Sequence, residues 1–189
     1  MSRVLVPLAK GFEEIEAVTV IDLLRRAGIE VVTAGLGPGA VTGSHGIVVT
    51  PDTDLDAVLG QAFDLVALPG GMPGAANLAA DTRLLALLRQ MATSGQITAA
   101  ICAAPGVLAK AGLLAGKRAT SYPGFLSAET APGTILSEDP VVEDGLVITS
   151  RGPGTAMDFA LALIERLEGA PARRKIEAGL QRPGARAAG

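Results

Sequence analysis

Short apolar runs that break off at glycine, proline or cysteine recur along this chain, separated by stretches of helical periodicity. No other feature restricts its fold as much. Strands joined through helices run parallel, and a parallel sheet hides both faces under those helices. The first unit spans Arg3 to Ala34. Arg3–Leu8 is too short for a helix and reads as a buried strand. Glu13 to Ala27 carries apolar residues at Ile15, Val18, Ile21, Leu23 and Leu24. Acids open it, Arg25 and Arg26 close it, and Gly28 stops it, as a helix dipole and C-terminal cap require. Ile29–Ala34 is the second strand. A right-handed β-α-β unit follows.

The same reading continues. Val41–Pro51 predicts a hairpin or edge excursion around Gly43 and Gly46, and Asp64–Leu68 a strand broken by Pro69-Gly70-Gly71. Asp81 caps a helix to Thr93, Ile97–Ile101 is a strand, and Ala103–Lys110 is a short helix with Pro105 near its start. Strands are expected at Arg118–Ser121, Val141–Glu143 and Leu146–Ser150, with a long helix over Thr155–Glu168. Residues 1–169 form one domain. Residues 170–189 are a partly helical tail whose end packs loosely, and Arg173-Arg174-Lys175 is a solvated face. The expected fold is an α/β sandwich around a mostly parallel sheet.

Several functions drop out on composition. A net charge of −3 with 3% aromatics does not suit a nucleic-acid groove. No apolar run reaches the ~18–20 residues of a membrane span. The N-terminus lacks a signal-peptide pattern, so the expected location is the cytoplasm. One cysteine and one histidine make neither an internal disulfide nor a closed zinc site, and no acidic loop suggests another metal.

In open α/β sheets, sites form past the carboxyl ends of the strands. Three segments fall there: Lys10–Glu16, Leu68–Gly71 and Ala100–Pro105. Cys102 directly follows a strand and precedes a helix. A free cysteine is usually a small buried hydrophobe, but this position resembles a nucleophile elbow with Cys in place of Ser. A helix N-terminus would favour the thiolate and lower its pKa. Ala103, Ala104 and Gly106 leave room for a substrate. The Gly70-Gly71 loop and the Ala103 N–H would form an oxyanion hole. Glu13, Glu14 and Glu16 open the first helix, where acids are common as dipole partners. Glu13 and Glu16 share a side and Glu14 turns away. An inward Glu beside a thiolate would hold its proton and could shuttle it. His45, in a glycine-flanked turn, lies far in sequence from these strand ends.

With these residues in view, the chain resembles the ThiJ/PfpI superfamily, in the branch of the parkinsonism-associated deglycase and its bacterial relatives. The matching stretches are LAKGFEEIEA (8–17), LLRRAGIEV (23–31), LPGGMPGAANL (68–78), AAICAAPGVLA (99–109) and LVITSRGPGTAMDFALALIE (146–165). The resemblance implies a flavodoxin-like three-layer sandwich, like that of class I glutamine amidotransferases, and a homodimer without cofactor. It implies that Cys102 is nucleophile and redox-sensitive thiol, that Glu16 is the protonated partner of its sulfur, and that Gly71 and Ala103 are backbone donors. Arg151 and Pro153 are implied near the site and dimer contact. Tyr122 stands where many relatives carry His, and a phenol titrating near ~10 is a poor neutral-pH base. No His follows Cys102, which excludes a Cys-His dyad from that half of the chain.

The expected activity is that of a glutathione-independent glyoxalase or deglycase, converting a small 2-oxoaldehyde such as methylglyoxal to a hydroxy acid. A redox sensor or chaperone with an oxidisable cysteine is the alternative from another class, and hydrolysis of another small carbonyl compound the third.

Overall fold

The computed structural model describes residues 1–182. Its central sheet has seven strands in the order β10-β11-β7-β6-β1-β2-β5. These are β1 (Arg3–Leu8), β2 (Glu30–Gly35), β5 (Thr53–Asp54), β6 (Leu65–Leu68), β7 (Ile97–Ile101), β10 (Val141–Asp144) and β11 (Val147–Ser150). All neighbours pair in parallel except β10 on β11. Side chains alternate across each strand, so consecutive residues feed opposite layers. Val4 and Val6 join one apolar cluster with α1 (Glu14–Arg26) and α6 (Ala156–Glu168). Leu5, Val66 and Leu68 join the other, with α4 (Thr82–Thr93) and α5 (Pro105–Lys110). This is the expected three-layer, flavodoxin-like sandwich.

Local chemistry accounts for the element ends. The Glu13 carboxylate caps α1 by accepting the Glu16 N–H at 2.8 Å, and Asp81 caps α4 through the N–H groups of Arg83 and Leu84. The expected hairpin is β3 (Val41–Thr42) with β4 (Val48–Val49), antiparallel and outside the main sheet. Three details depart from the sequence reading. The strand expected at Arg118–Ser121 is only β8 (Arg118–Ala119), which pairs with β9 (Ile135–Leu136) in a separate ribbon. Two short helices, α2 (Leu55–Val58) and α3 (Gly74–Ala80), carry too few apolar positions to register as periodic. And α5 begins at Pro105, not Ala103, because Cys102 to Ala104 form a turn first.

Beyond α6, α7 (Ala170–Gly179) lies on the sandwich with Ala172 and Ile176 packed against its core. The expected loose end of the chain falls mostly outside the described residues. Among those residues no helix is long and apolar enough to cross a membrane.

Candidate active site

The ends of β1, β6 and β7 bring three distant segments to one point. Cys102 leaves β7 with φ of +64°, a left-handed conformation rarely adopted by residues with a side chain. Both backbone polar groups are pinned. Its N–H donates to Ser150 O at 3.0 Å, and its carbonyl accepts the Tyr122 N–H at 2.9 Å. The sharp turn ends the strand run at the edge of one apolar layer, where the side chain is buried but for 8%.

Glu16, on the second helical residue after the α1 start, is fully buried at 0% exposure, and Cys102 is 8% exposed. Glu16 Oε2 accepts the Gly70 N–H at 2.8 Å. Its Oε1 accepts no N–H or O–H among the described residues, which leaves that oxygen free to carry a proton. Gly70 is irreplaceable for steric reasons. A Cβ there would lie 2.7 Å from Cys102 Cβ and 2.9 Å from Glu16 Oε2. At Gly71, φ +85°, a Cβ would lie 2.6 Å from the Gly11 carbonyl oxygen, so only glycine lets the β6 loop sit against the start of α1.

Titration couples the pair. Burial raises Glu16 to about 7, against the opposing hydrogen bonds from the Gly70 N–H and the Cys102 thiol; the charge of Glu13 adds to the rise. Burial and then the Glu16 carboxylate push the Cys102 thiol up to about 12, while the N–H groups of Gly71 and Ala103 pull it down. The expected low thiol pKa is therefore not found. Its supposed cause is weak: α5 has six residues and starts three positions past the cysteine. What governs the sulfur is burial beside a carboxyl group. One negative charge is accommodated on the pair near neutrality, and a second is strongly resisted.

The structure thus gathers Cys102, Glu16, Gly70, Gly71 and Ala103. The Gly71 and Ala103 amides, expected to hold a substrate oxyanion, are aimed at the sulfur itself. Tyr122 is near by backbone only. Its ring packs edge-on against Phe125 and lies over Gly152, half exposed. Arg151 does not reach the thiol: its guanidinium donates to Glu138 O at 3.0 Å. Pro153 opens a single helical turn, Pro153–Thr155, ahead of α6. Beside the elbow lies a cavity of about 250 Å³ lined by Met72, Ala75, Ala103, Gly106 and Phe125, though not by Cys102 itself. A larger concavity of about 590 Å³ sits elsewhere, between the ends of β1 and β2.

Sequence distance misled in one place. His45 docks on α1, where Glu14 Oε1 accepts its backbone N–H at 2.6 Å and Oε2 lies 3.0 Å from its Nδ1. Glu14 does turn away from the sulfur, but into this hairpin and not into solvent. Burial opposes its charge, yet the hydrogen bonds from His45 and Ser44 win and hold it at about 2.

A strained cysteine on a strand-to-helix elbow, backed by a buried protonatable glutamate, defines a class of α/β proteins built around a reactive thiol. The chain belongs to the DJ-1/PfpI family, whose model matches residues 2–166. It is 45% identical to the protein dj-1beta of Drosophila melanogaster over 93% of this chain and 95% of that protein. It is 40% identical to the glutathione-independent glyoxalase DJR-1.2 of Caenorhabditis elegans, over 83% of each chain. The solved structure of oxidized Toxoplasma gondii DJ-1 superposes with a TM-score of 0.91 at 42% identity, covering 95% of this chain and 98% of that one.

Proposed function

We propose that this protein is a glutathione-independent glyoxalase of the glyoxalase III type, with deglycase activity following from the same chemistry. It would act in the cytoplasm as a homodimer on small 2-oxoaldehydes such as methylglyoxal. The observation that carries this reading is the geometry of the elbow: Cys102 at φ +64° with the fully buried Glu16 carboxyl held behind it by the Gly70 N–H. The relationship to the C. elegans glyoxalase supports it.

With the thiol proton passed to Glu16, the Cys102 thiolate adds to the aldehyde carbon and the new alkoxide takes that proton. Sulfur bonded to carbon no longer competes for the Gly71 and Ala103 N–H groups, which then stabilise the adjacent oxygen. Glu16, now a carboxylate, removes the C1 proton of the hemithioacetal and returns it to C2 through an enediol. The thioester so formed is cleaved by water to the hydroxy acid, freeing the thiol. Aldehyde plus water gives acid, so no outside oxidant and no cofactor enters. A second reading, redox sensing at Cys102, draws support from its being the one cysteine of the chain, set on the elbow, and from the oxidized form in which the T. gondii relative was solved. A time course of methylglyoxal loss and lactate formation by wild type and Cys102→Ala tests the proposal. Equal lactate from both would overturn it.

A further inference from the structure

Glu13, Glu14 and His45 place one ligand atom each within 4.8 Å of the others, outside the cysteine centre. The two carboxyl groups are buried, whereas the imidazole is largely exposed, at 73% of its side chain. His45 Nδ1 stands 3.0 Å from Glu14 Oε2 and 4.0 Å from Glu13 Oε1. Glu13 is more than nine-tenths buried and uses Oε2 to cap the helix. Its Oε1 faces the imidazole and accepts no hydrogen bond among the described residues. No arginine or lysine there pairs with either carboxyl group. Glu14 is balanced by the groups it accepts from His45 and Ser44, whereas Glu13 Oε1 is left without a donor, and a single imidazole supplies at most one charge to the pair.

We propose that Glu13, Glu14 and His45 form a binding site for one first-row divalent cation, of the zinc class. One imidazole nitrogen and two carboxylate oxygens suit such an ion better than magnesium or calcium, which favour all-oxygen sets. Ligands about 2.1 Å from a shared ion stand ~3–3.5 Å apart. His45 and Glu14 already meet that spacing at 3.0 Å, and the separations involving Glu13 close by about 1 Å when its carboxyl turns about the Oε2 hydrogen bond and the exposed imidazole follows. The outer side of the imidazole faces solvent, so water completes the coordination. The ion replaces the Nδ1–carboxylate hydrogen bond, clamps the 43–46 turn onto the start of α1, and balances both carboxylates.

The test is zinc titration by calorimetry on the untagged, metal-stripped chain, with the imidazole followed by NMR. The chain has a single histidine, so its ring signals report ligation directly. Wild type should bind one zinc per chain with the His45 signals shifting in step. His45→Ala, a change at an exposed side chain, should weaken binding at least about tenfold, and Cys102→Ala should leave it unchanged. No binding by wild type, binding untouched by His45→Ala, or binding lost with Cys102→Ala would each overturn the site.

Discussion

Glu16 Oε2 accepts the backbone N–H of Gly70 at 2.8 Å, across 54 residues of sequence. That contact lets the carboxyl sit fully buried while its second oxygen stays available. It also fixes the distance between acid and sulfur through backbone, because Gly70 is wedged between the two side chains. Proton-transfer chemistry depends on such fixed geometry, and the variants below probe it.

Glu16→Gln should lower methylglyoxal turnover by roughly 10²–10⁴-fold with the fold intact, since Gln keeps the shape but carries no transferable proton. Glu14→Gln should affect turnover far less. Its carboxylate serves the hairpin, accepting from His45 and Ser44. Steady-state kinetics with circular dichroism decides this, and a more damaging Glu14→Gln would place the working acid on the opposite face of α1.

The pH profile follows from the coupled pair. Below about 7 both Glu16 and Cys102 hold protons, and the thiolate is absent. Turnover should therefore rise as the pH passes through about 7, where Glu16 becomes a carboxylate able to take up a proton. Iodoacetamide labelling should climb toward about 12, as the thiol proton leaves. In Glu16→Gln the carboxylate charge is gone, so labelling should show a midpoint below that of wild type. A variant thiol that is easier to alkylate yet catalytically poor would separate nucleophilicity from proton transfer. A wild-type turnover profile flat between pH 5 and 9 would contradict proton uptake by Glu16.

Gly70→Ala should be disruptive out of proportion to one methyl group. The added carbon meets Cys102 Cβ at 2.7 Å and Glu16 Oε2 at 2.9 Å. Overpacking of this kind destabilises by about 1–3 kcal/mol, and a displaced Glu16 should lose turnover at least about tenfold. Chemical denaturation and kinetics on one preparation measure both losses. Wild-type values for both would show that the elbow has slack.

Mild peroxide should convert Cys102 to sulfinate, with turnover falling in proportion to the oxidised fraction and the fold surviving. The Gly71 and Ala103 amides and a protonated Glu16 would stabilise that anion. Intact-mass spectrometry alongside a lactate assay gives the comparison. Activity in a fully oxidised sample would rule out the covalent route. A reduced protein without turnover whose sulfinate form gains clients would favour the sensor.

Sedimentation at micromolar concentration should find a dimer. Ile15 and Val18 on α1 are 57% and 48% exposed, and Ile47 and Val48 on the adjoining hairpin are similarly bare. Mean hydropathy is +0.41, high for a chain that stays alone in water. Val18→Lys should weaken association, and a wild-type monomer would count against the assembly.

The strand and helix pattern was legible because buried parallel strands and amphipathic helices write strong periodicities. Ile97–Ile101 and the Asp81 cap fell at the residues where the structure has them. Cys102 stood out because a strand run ended on it, and Gly70-Gly71 because they broke another. Glu16 was separable from Glu14 by helical spacing. What stayed hidden depended on contacts across the fold. The left-handed turn that delays α5 and so denies Cys102 a helix dipole has no signature in ICAAPG. The resemblance implies Arg151 near the site and dimer contact, and nothing in SRGPG announces that its guanidinium donates to the Glu138 carbonyl. The meeting of His45 with Glu14 joins residues 31 apart, and only the docking of the hairpin reveals it.

The buried Glu16 carboxyl, a carboxylate at the close of the proposed cycle, also bears on how a reaction there would end. A 2-oxoaldehyde arrives uncharged, whereas the hydroxy acid made from it is an anion. Departure therefore runs down a gradient of like-charge repulsion, and inhibition of the enzyme by its own accumulated product should be weak.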